Sequence, residues 1–233
     1  MYDIDYKKWA DYIEDIFRKN NVKPSLVLDL GCGTGNMCIE MAARGYDMIG
    51  ADISVDMLSC ARKKSLDAGH DILYLNQDIT DFELYGTVDA IVCLMDTVNY
   101  ITGKKDLRKM FKLVNNYLNP GGLFIFDINS EYKLKELLGN NVFYEIDDEI
   151  TYIWENKFDK AKKICRFDLT FFIKNSEGSF ERHDEVHYER AYNVNELKEL
   201  IADSKMDLVG TYNNLTLMKP TKKSNKIFFV CKK

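Results

Sequence analysis

Leu26-Val27-Leu28-Asp29-Leu30-Gly31-Cys32-Gly33-Thr34-Gly35-Asn36 is the stretch from which the fold is read. The apolar run before Asp29 has the composition of a parallel strand buried on both faces. It stops at three glycines on alternate positions, Gly31, Gly33 and Gly35. Beyond them Met37, Cys38, Ile39, Met41 and Ala42 fall along one helical stripe that ends at Arg44-Gly45. The pattern predicts strand, glycine turn and helix, the first βα unit of a nucleotide-binding sheet. Gly31 and Gly33 allow a sharp turn and a close approach of backbone to ligand, and Gly35 allows tight helix–strand packing.

The spacing narrows the ligand. A dinucleotide fingerprint runs G-x-G-x-x-G, with a helix N-terminus facing a pyrophosphate. Here the third glycine comes one residue early and Asp29 stands just before the turn. A carboxylate there repels a pyrophosphate but suits a ligand carrying an ammonium and a sulfonium, which describes S-adenosylmethionine. The glycine turn alone also fits any tight βα loop.

With 233 residues, 46% of them hydrophobic, the chain can bury one sizeable core and carry an insertion. A net charge of −5 gives no general attraction to nucleic acid. The six cysteines, Cys32, Cys38, Cys60, Cys93, Cys165 and Cys231, show no CxxC or metal-type spacing and read as small hydrophobes in a reducing cytoplasm. No run reaches the length of a membrane span, and Met1 to Asp5 has no leader pattern. No metal is expected, and the predicted location is cytoplasmic.

An amphipathic helix is predicted from Asp5 to Lys19, with Trp9, Tyr12, Ile13, Ile16 and Phe17 facing inward. After Gly45 the βα unit repeats. Tyr46 to Ala51 is a strand ending in Asp52, and Ser54 opens a helix with Val55, Leu58 and Ala61 inward. Asp52 follows the first glycine by about twenty residues, the place of an acid that accepts both ribose hydroxyls. Ile72–Gln77 and Val88–Met95 are further strands, leading to Asp78 and Asp96. A helix from Lys104 to Leu118 stops at Asn119-Pro120-Gly121-Gly122, and Leu123–Phe126 ends in Asp127. Each strand thus ends in or beside an aspartate, at the edge where open α/β sheets bind ligands. A rim that holds a cation explains this better than five helix caps.

VLDLGCGTGN (27–36), GADIS (50–54), QDIT (77–80), VDAIVCLMDTVNYI (88–101) and NPGGLFIFDI (119–128) together resemble the class I S-adenosylmethionine-dependent methyltransferases. With INSEYKL (128–134), YIWENKFD (152–159) and ERAYN (189–193), the resemblance narrows to small, poorly characterised cytosolic methyltransferases of Gram-positive bacteria. The resemblance implies that Gly31, Gly33 and Gly35 pass the methionine part of S-adenosylmethionine, with Asp29 near its amino group. It implies Asp52 on the ribose, Asp78 on the adenine amino group, the Ile79 backbone on the ring edge, and Ile53 and Met57 flanking the ring. The Leu94 carbonyl and Asp96 would close the methionine end. Similar proteins carry a tyrosine-containing segment ahead of the first helix, a lid that here either Tyr2 and Tyr6 supply or the chain lacks.

After a helix over Tyr132–Leu138 come three segments of period two, at 151–158, 165–173 and 180–191. They predict an antiparallel sheet inserted as a substrate cover. The expected architecture is a Rossmann-like seven-stranded sheet with its last strand antiparallel and helices on both faces, built from residues 1–138 and 192–233, with 139–191 as the cover. Asn193-Val194-Asn195-Glu196 reads as a capping box opening a helix to Ser204, and strands near 208–212 and 227–230 finish the sheet.

Methyl transfer from a sulfonium is an in-line displacement, so positioning carries much of the rate and a base is needed only for a protonated acceptor. His183, His187 and Tyr100 are candidates for that base. Asn99, Tyr100, Tyr152, Trp154 and Arg190 are candidates for acceptor contacts, against packing for the aromatics and a Glu partner for Arg190. Asp96-Thr97-Val98-Asn99-Tyr100 is not the NPPY or DPPY signature that grips an exocyclic amine, and no Pro-Cys pair is present, which disfavours DNA base methylation. The expected activity is methyl transfer to a nitrogen or oxygen of a small molecule, by a monomer or homodimer. The alternatives are an RNA methyltransferase and a cofactor-binding interaction protein without catalysis.

Overall fold

Apolar runs and glycine turns of the first half fold into three βα units, with one further strand joined to the third unit without a helix, followed by a long strand. The structure, a computed structural model, describes residues 4–233. Helix α1 (Tyr6–Lys19) is capped by Asp5, which accepts from Lys8 N at 3.1 Å, and carries Arg18 and Lys19 in its last turn, favourable to its dipole. Then come β1 (Leu26–Leu30), α2 (Asn36–Ala43), β2 (Asp47–Asp52), α3 (Val55–Asp67), β3 (Leu73–Asn76), β4 (Val88–Cys93), α4 (Lys104–Tyr117) and β5 (Leu118–Asn129). A second sheet follows, made of β6 (Val142–Ile146), β7 (Ile150–Asp159), β8 (Ile164–Lys174) and β9 (Phe180–Arg190). The chain returns through α5 (Val194–Asp203) to β10 (Asp207–Asn213) and β11 (Lys226–Lys232).

The main sheet has the order β10-β11-β5-β4-β1-β2-β3. Its pairs are parallel except those of β11, which runs antiparallel to both β5 and β10. Strand order reverses between β1 and β4, so the glycine turn after β1 lies at the switch point. Alternate residues of the central strands face opposite layers. Val27, Val92, Ile125 and Phe228 pack on α1, α2 and α3, while Leu28, Ile91, Phe126 and Phe229 pack on α4 and α5. No helix among the described residues is long and apolar enough to cross a membrane.

The second sheet is antiparallel in the order β6-β7-β8-β9. Period two gives it two distinct faces. One face carries Phe143, Tyr152, Trp154, Phe167, Leu169, His183, Glu185, His187 and Glu189 by register. Near its root this face packs on a π-helical turn, Lys133–Leu138, through Leu134, Cys165 and Phe167.

Four sequence expectations change. β6 escaped the alternation rule because Val142-Phe143-Tyr144 is a mixed run and all five residues of the strand are exposed. β5 extends from 118 to 129, because the Asn119–Gly122 stretch is held beside β4 and the chain's end: Asn119 Nδ2 donates to Asp89 at 2.8 Å and Gly121 N to Lys233 O at 2.7 Å. Val55 is 62% exposed, since it opens α3 beyond the sheet's edge. The capping box is incomplete: Asn193 caps Asn195 N, but the Glu196 carboxylate turns to Lys104 and Arg190 instead. Tyr6 opens α1 and packs beside the core around Trp9, while Tyr2 lies outside the described residues.

Candidate active site

The glycine turn is held by the neighbouring strand. Gly31 N and Cys32 N donate to the Ala51 carbonyl at 2.7 and 3.0 Å. All three glycines have positive φ, between 52° and 77°. A Cβ on Gly31 would overlap Thr97, and one on Gly35 would sit 2.9 Å from the Ala61 Cβ. A Cβ on Gly33 would meet nothing within 4 Å, so the backbone there borders open space. That is the side on which a ligand can approach.

Asp52 does more than wait at a strand tip. Its Oδ2 accepts from Gly33 N at 2.8 Å and its Oδ1 from Ser54 N at 2.9 Å, which ties the β2 tip to the glycine turn. Beside it Ile53 is 70% and Met57 47% exposed, two apolar side chains open to solvent. Asn76 Nδ2 donates to the carbonyls of Asp52 and Ile53 at 3.1 and 2.8 Å. Asp78 is exposed and spends Oδ1 on Thr80, while the side chain of Ile79 packs against the core. Asp29 is buried next to Cys38, whose thiol donates to its carboxylate at 3.5 Å. Burial pushes the Asp29 pKa up to about 7, opposed by the Cys38 hydrogen bond and helped by the charge of Asp52.

At the β4 tip, Met95 and Asp96 take left-handed φ values of 59° and 60° in succession. Asp127 holds them, accepting from Met95 N at 2.6 Å and from Asp96 N at 3.0 Å. Lys226 Nζ then bridges Asp127 at 2.5 Å and Asp96 at 2.7 Å. The aspartate rim does hold a cation, but between these two strands the cation is the chain's own lysine. The Leu94 carbonyl accepts from Thr97 Oγ1 at 2.7 Å and keeps its second lone pair.

The acceptor candidates divide. Asn99 is fully buried and spends its amide on three backbone bonds, to Asn129 N, Asn129 O and Arg190 O, at 2.9–3.1 Å. It is a fastener, and no face of it is open to an acceptor. Arg190 likewise is taken up by Glu196 at 3.1 Å and the Thr102 carbonyl at 2.9 Å, and it stacks on Tyr192. The Glu-partner reading of Arg190 is the one the structure realises. Tyr100 remains 47% exposed and meets the edge of His187, ring centroids 5.9 Å apart. Burial, then the charges of Glu189, Asp96 and Glu185, raise its hydroxyl pKa, which suits a donor and removes it as a base at neutral pH.

His187 is tied to Glu185 at 3.0 Å. His183 sits opposite Phe171, exposed, roughly 20 Å along β9 from Glu189 at about 3.3 Å per residue. Trp154 packs edge-to-face on Phe167 at 5.6 Å, and Tyr152 tilts against Phe171 at 6.2 Å. Glu189, which sequence reading passed over, is buried and accepts from Asn129 Nδ2 at 2.8 Å. Its signal was the alternation His183, Glu185, His187, Glu189, which puts it on the face of Cys165 and Phe167. A depression of about 440 Å³ between α3 and β3 lies at the amino ends of the strands, away from these groups.

A family model described as a methyltransferase domain matches residues 27–122. The YqeM protein of Bacillus subtilis (strain 168) is 33% identical over 98% of this chain and 90% of its own length. A crystal structure of an S-adenosylmethionine-dependent methyltransferase from Clostridium acetobutylicum ATCC 824 is 36% identical, covers 99% of this chain and 93% of that one, and superposes with a TM-score of 0.93. This chain is a class I S-adenosylmethionine-dependent methyltransferase. A dTDP-3-amino-3,4,6-trideoxy-alpha-D-glucopyranose N,N-dimethyltransferase of Streptomyces venezuelae is 32% identical over 53% of this methyltransferase and 50% of its own length. The residues fit the cofactor: an open glycine cradle, a buried acid with a raised pKa, and exposed apolar side chains beside Asp52.

Proposed function

We propose that this methyltransferase transfers a methyl group from S-adenosylmethionine to a nitrogen or oxygen of a small molecule held under the second sheet. The observation that carries this reading is that β9 is fastened across the carboxyl ends of β4 and β5. Asn99 binds the Arg190 carbonyl and Asn129 binds Glu189, which turns the His187 face of the sheet onto Tyr100. Residues 139–191 then act as the acceptor cover. The Streptomyces venezuelae relative, which by its name acts on an amino sugar, supports a small polar acceptor.

The bound cofactor supplies an electrophilic methyl on a sulfonium. Asp29 would hold its ammonium, the glycine turn its methionine chain and Asp52 its ribose. Ile53, Met57, Asp78 and the Ile79 backbone would frame its adenine. Tyr100, Trp154 and Tyr152 would wall the acceptor and exclude water. Six unpaired cysteines suit a reducing cytoplasm.

S-adenosylhomocysteine at one hundred times its Kd should stabilise the fold by about 2.7 kcal/mol, and NADH at equal concentration should leave the melting temperature unchanged. A shift with NADH alone would overturn the cofactor assignment. Transfer of labelled methyl to a tRNA pool, with none to a metabolite pool, would instead favour RNA as acceptor. Binding should also respond to pH. An ammonium needs Asp29 ionised, so affinity should fall roughly tenfold from pH 8 to pH 6, with proton uptake opposing binding. For the apo fold the sign is reversed. The raised Asp29 pKa means the native state holds the extra proton, so stability contributed there is lost as pH rises towards 7. Calorimetry across pH 6–8 checks the first, and thermal melts the second.

A further inference from the structure

We infer that the acceptor is a primary or secondary amine delivered as its ammonium, and that Glu189 Oε1 takes the proton that frees its lone pair. The inference rests on the methyl-transfer site proposed above and names its substrate class and its base.

Glu189 lies at the root of β9, beside Asn129 at the end of β5, and is 3% exposed. Its Oε2 is fixed by Asn129 Nδ2, and Asn129 is fixed in turn through its backbone by Asn99 and through Oδ1 by Lys133 at 2.8 Å. No donor among the described residues is bonded to Oε1. With Oε2 anchored and Oε1 unengaged, the carboxyl presents one free acceptor oxygen in a fixed orientation. On the same face the Trp154 indole N–H is buried with no protein acceptor, a donor left for a ligand or water.

The charges around Glu189 point to a cation. Asp96 faces it from the β4 tip, Tyr100 from the following turn and Cys165 from β8. Lys226 and Lys133 face it from β11 and the π-helical turn, but their ammonium groups are bonded to Asp127 and Asp96, and to Asn129. Glu185 reinforces the negative sign beside His187. The exposed half of Tyr100 and the Trp154–Phe167 pair offer the aromatic surface that favours an ammonium.

The proton inventory agrees. Burial, then Asp96, push the Glu189 pKa up to about 8. Drawing a proton from an alkylammonium near 10.4 is uphill by a factor of roughly 10², whereas an alcohol near that of water, about 15.7, is uphill by roughly 10⁸. A carboxylate therefore serves an amine and not an alcohol. In the step, the acceptor's N–H bond breaks and its proton passes to Glu189 Oε1. The freed lone pair forms the N–CH₃ bond as the S–CH₃ bond breaks, its electron pair going to sulfur. The products are the methylated ammonium, S-adenosylhomocysteine and protonated Glu189, which returns its proton to solvent.

The test uses benzylamine and benzyl alcohol, alike in shape, titrated into the protein saturated with S-adenosylhomocysteine. Wild type should bind the amine at least tenfold more tightly, with a preference that grows from pH 6 to pH 8.5. Glu189→Gln keeps the bond to Asn129 and should abolish both the preference and its pH dependence. Glu181→Gln, eight residues further along β9 and opposite Ile173, should retain them. Melting curves confirm that each variant folds. Equal binding of the two probes, absence of binding by both, or a preference that survives in Glu189→Gln overturns the inference. Binding of S-adenosylhomocysteine to the same samples tests the cofactor site separately, so its failure is distinguishable.

Discussion

Lys226→Met should lower stability by about 3–5 kcal/mol, the cost of removing one partner of a buried ion pair. The lysine side chain is 12% exposed, Asp127 fully buried and Asp96 23% exposed, so little solvent can replace the lost charge. Burial works against the lysine's charge, but Asp127 and Asp96 outweigh it and its pKa is raised. Burial likewise raises the Asp127 pKa, with Lys226 opposing. The variant leaves Asp127 both buried and bonded to the strained Met95–Asp96 backbone. Urea midpoints should show the loss, and Asp127→Asn in the same chain should recover part of it, since the neutral amide no longer needs a cation. A loss below about 1 kcal/mol would mean that solvent reaches the triad.

Asp52→Ala carries the second large effect, and it acts twice. Loss of the ribose contacts proposed for Asp52 should weaken S-adenosylhomocysteine binding by about 1.5–3 kcal/mol, roughly ten- to 150-fold. The unliganded protein should also lose about 1–3 kcal/mol, because Gly33 N and Ser54 N both forfeit a carboxylate acceptor. Calorimetry and melting of the free protein read the two separately. Unchanged affinity would take Asp52 out of the cofactor site, and unchanged melting would mean that the two backbone bonds stabilise nothing.

That double role shows where sequence reading runs out. The strands, the glycine turn and the aspartates at the strand tips follow from local pattern, because period two, period 3.6 and glycine spacing are properties of neighbours in the chain. What each aspartate does depends on partners that the fold brings in. Asp52 reads as a solitary tip because Gly33, to which it bonds, is nineteen residues away. Asp96 and Asp127 read as ligand groups because Lys226, which pairs them, stands 130 and 99 positions on. Arg190 and Asn99 looked available for the same reason, and Glu189 drew no reading because Asn129, which bonds it, lies sixty residues away. Local pattern reports which side chains share a face, and only the tertiary register reports which of them are already engaged.

Asn99 has a mechanical consequence. The excursion that makes the second sheet leaves the main sheet at Asn129 and rejoins it at Arg190, and one buried amide grips both points. That makes Asn99 a fulcrum, and the eleven residues of β9 a lever of roughly 36 Å at about 3.3 Å per residue. A tilt of about 5° at the fulcrum carries the far hairpin through roughly 3 Å while shifting Glu189, one residue from the pivot, by about 0.3 Å. If the second sheet covers the acceptor as proposed, its outer end would yield to acceptors of different bulk while the groups at its root stay where they are.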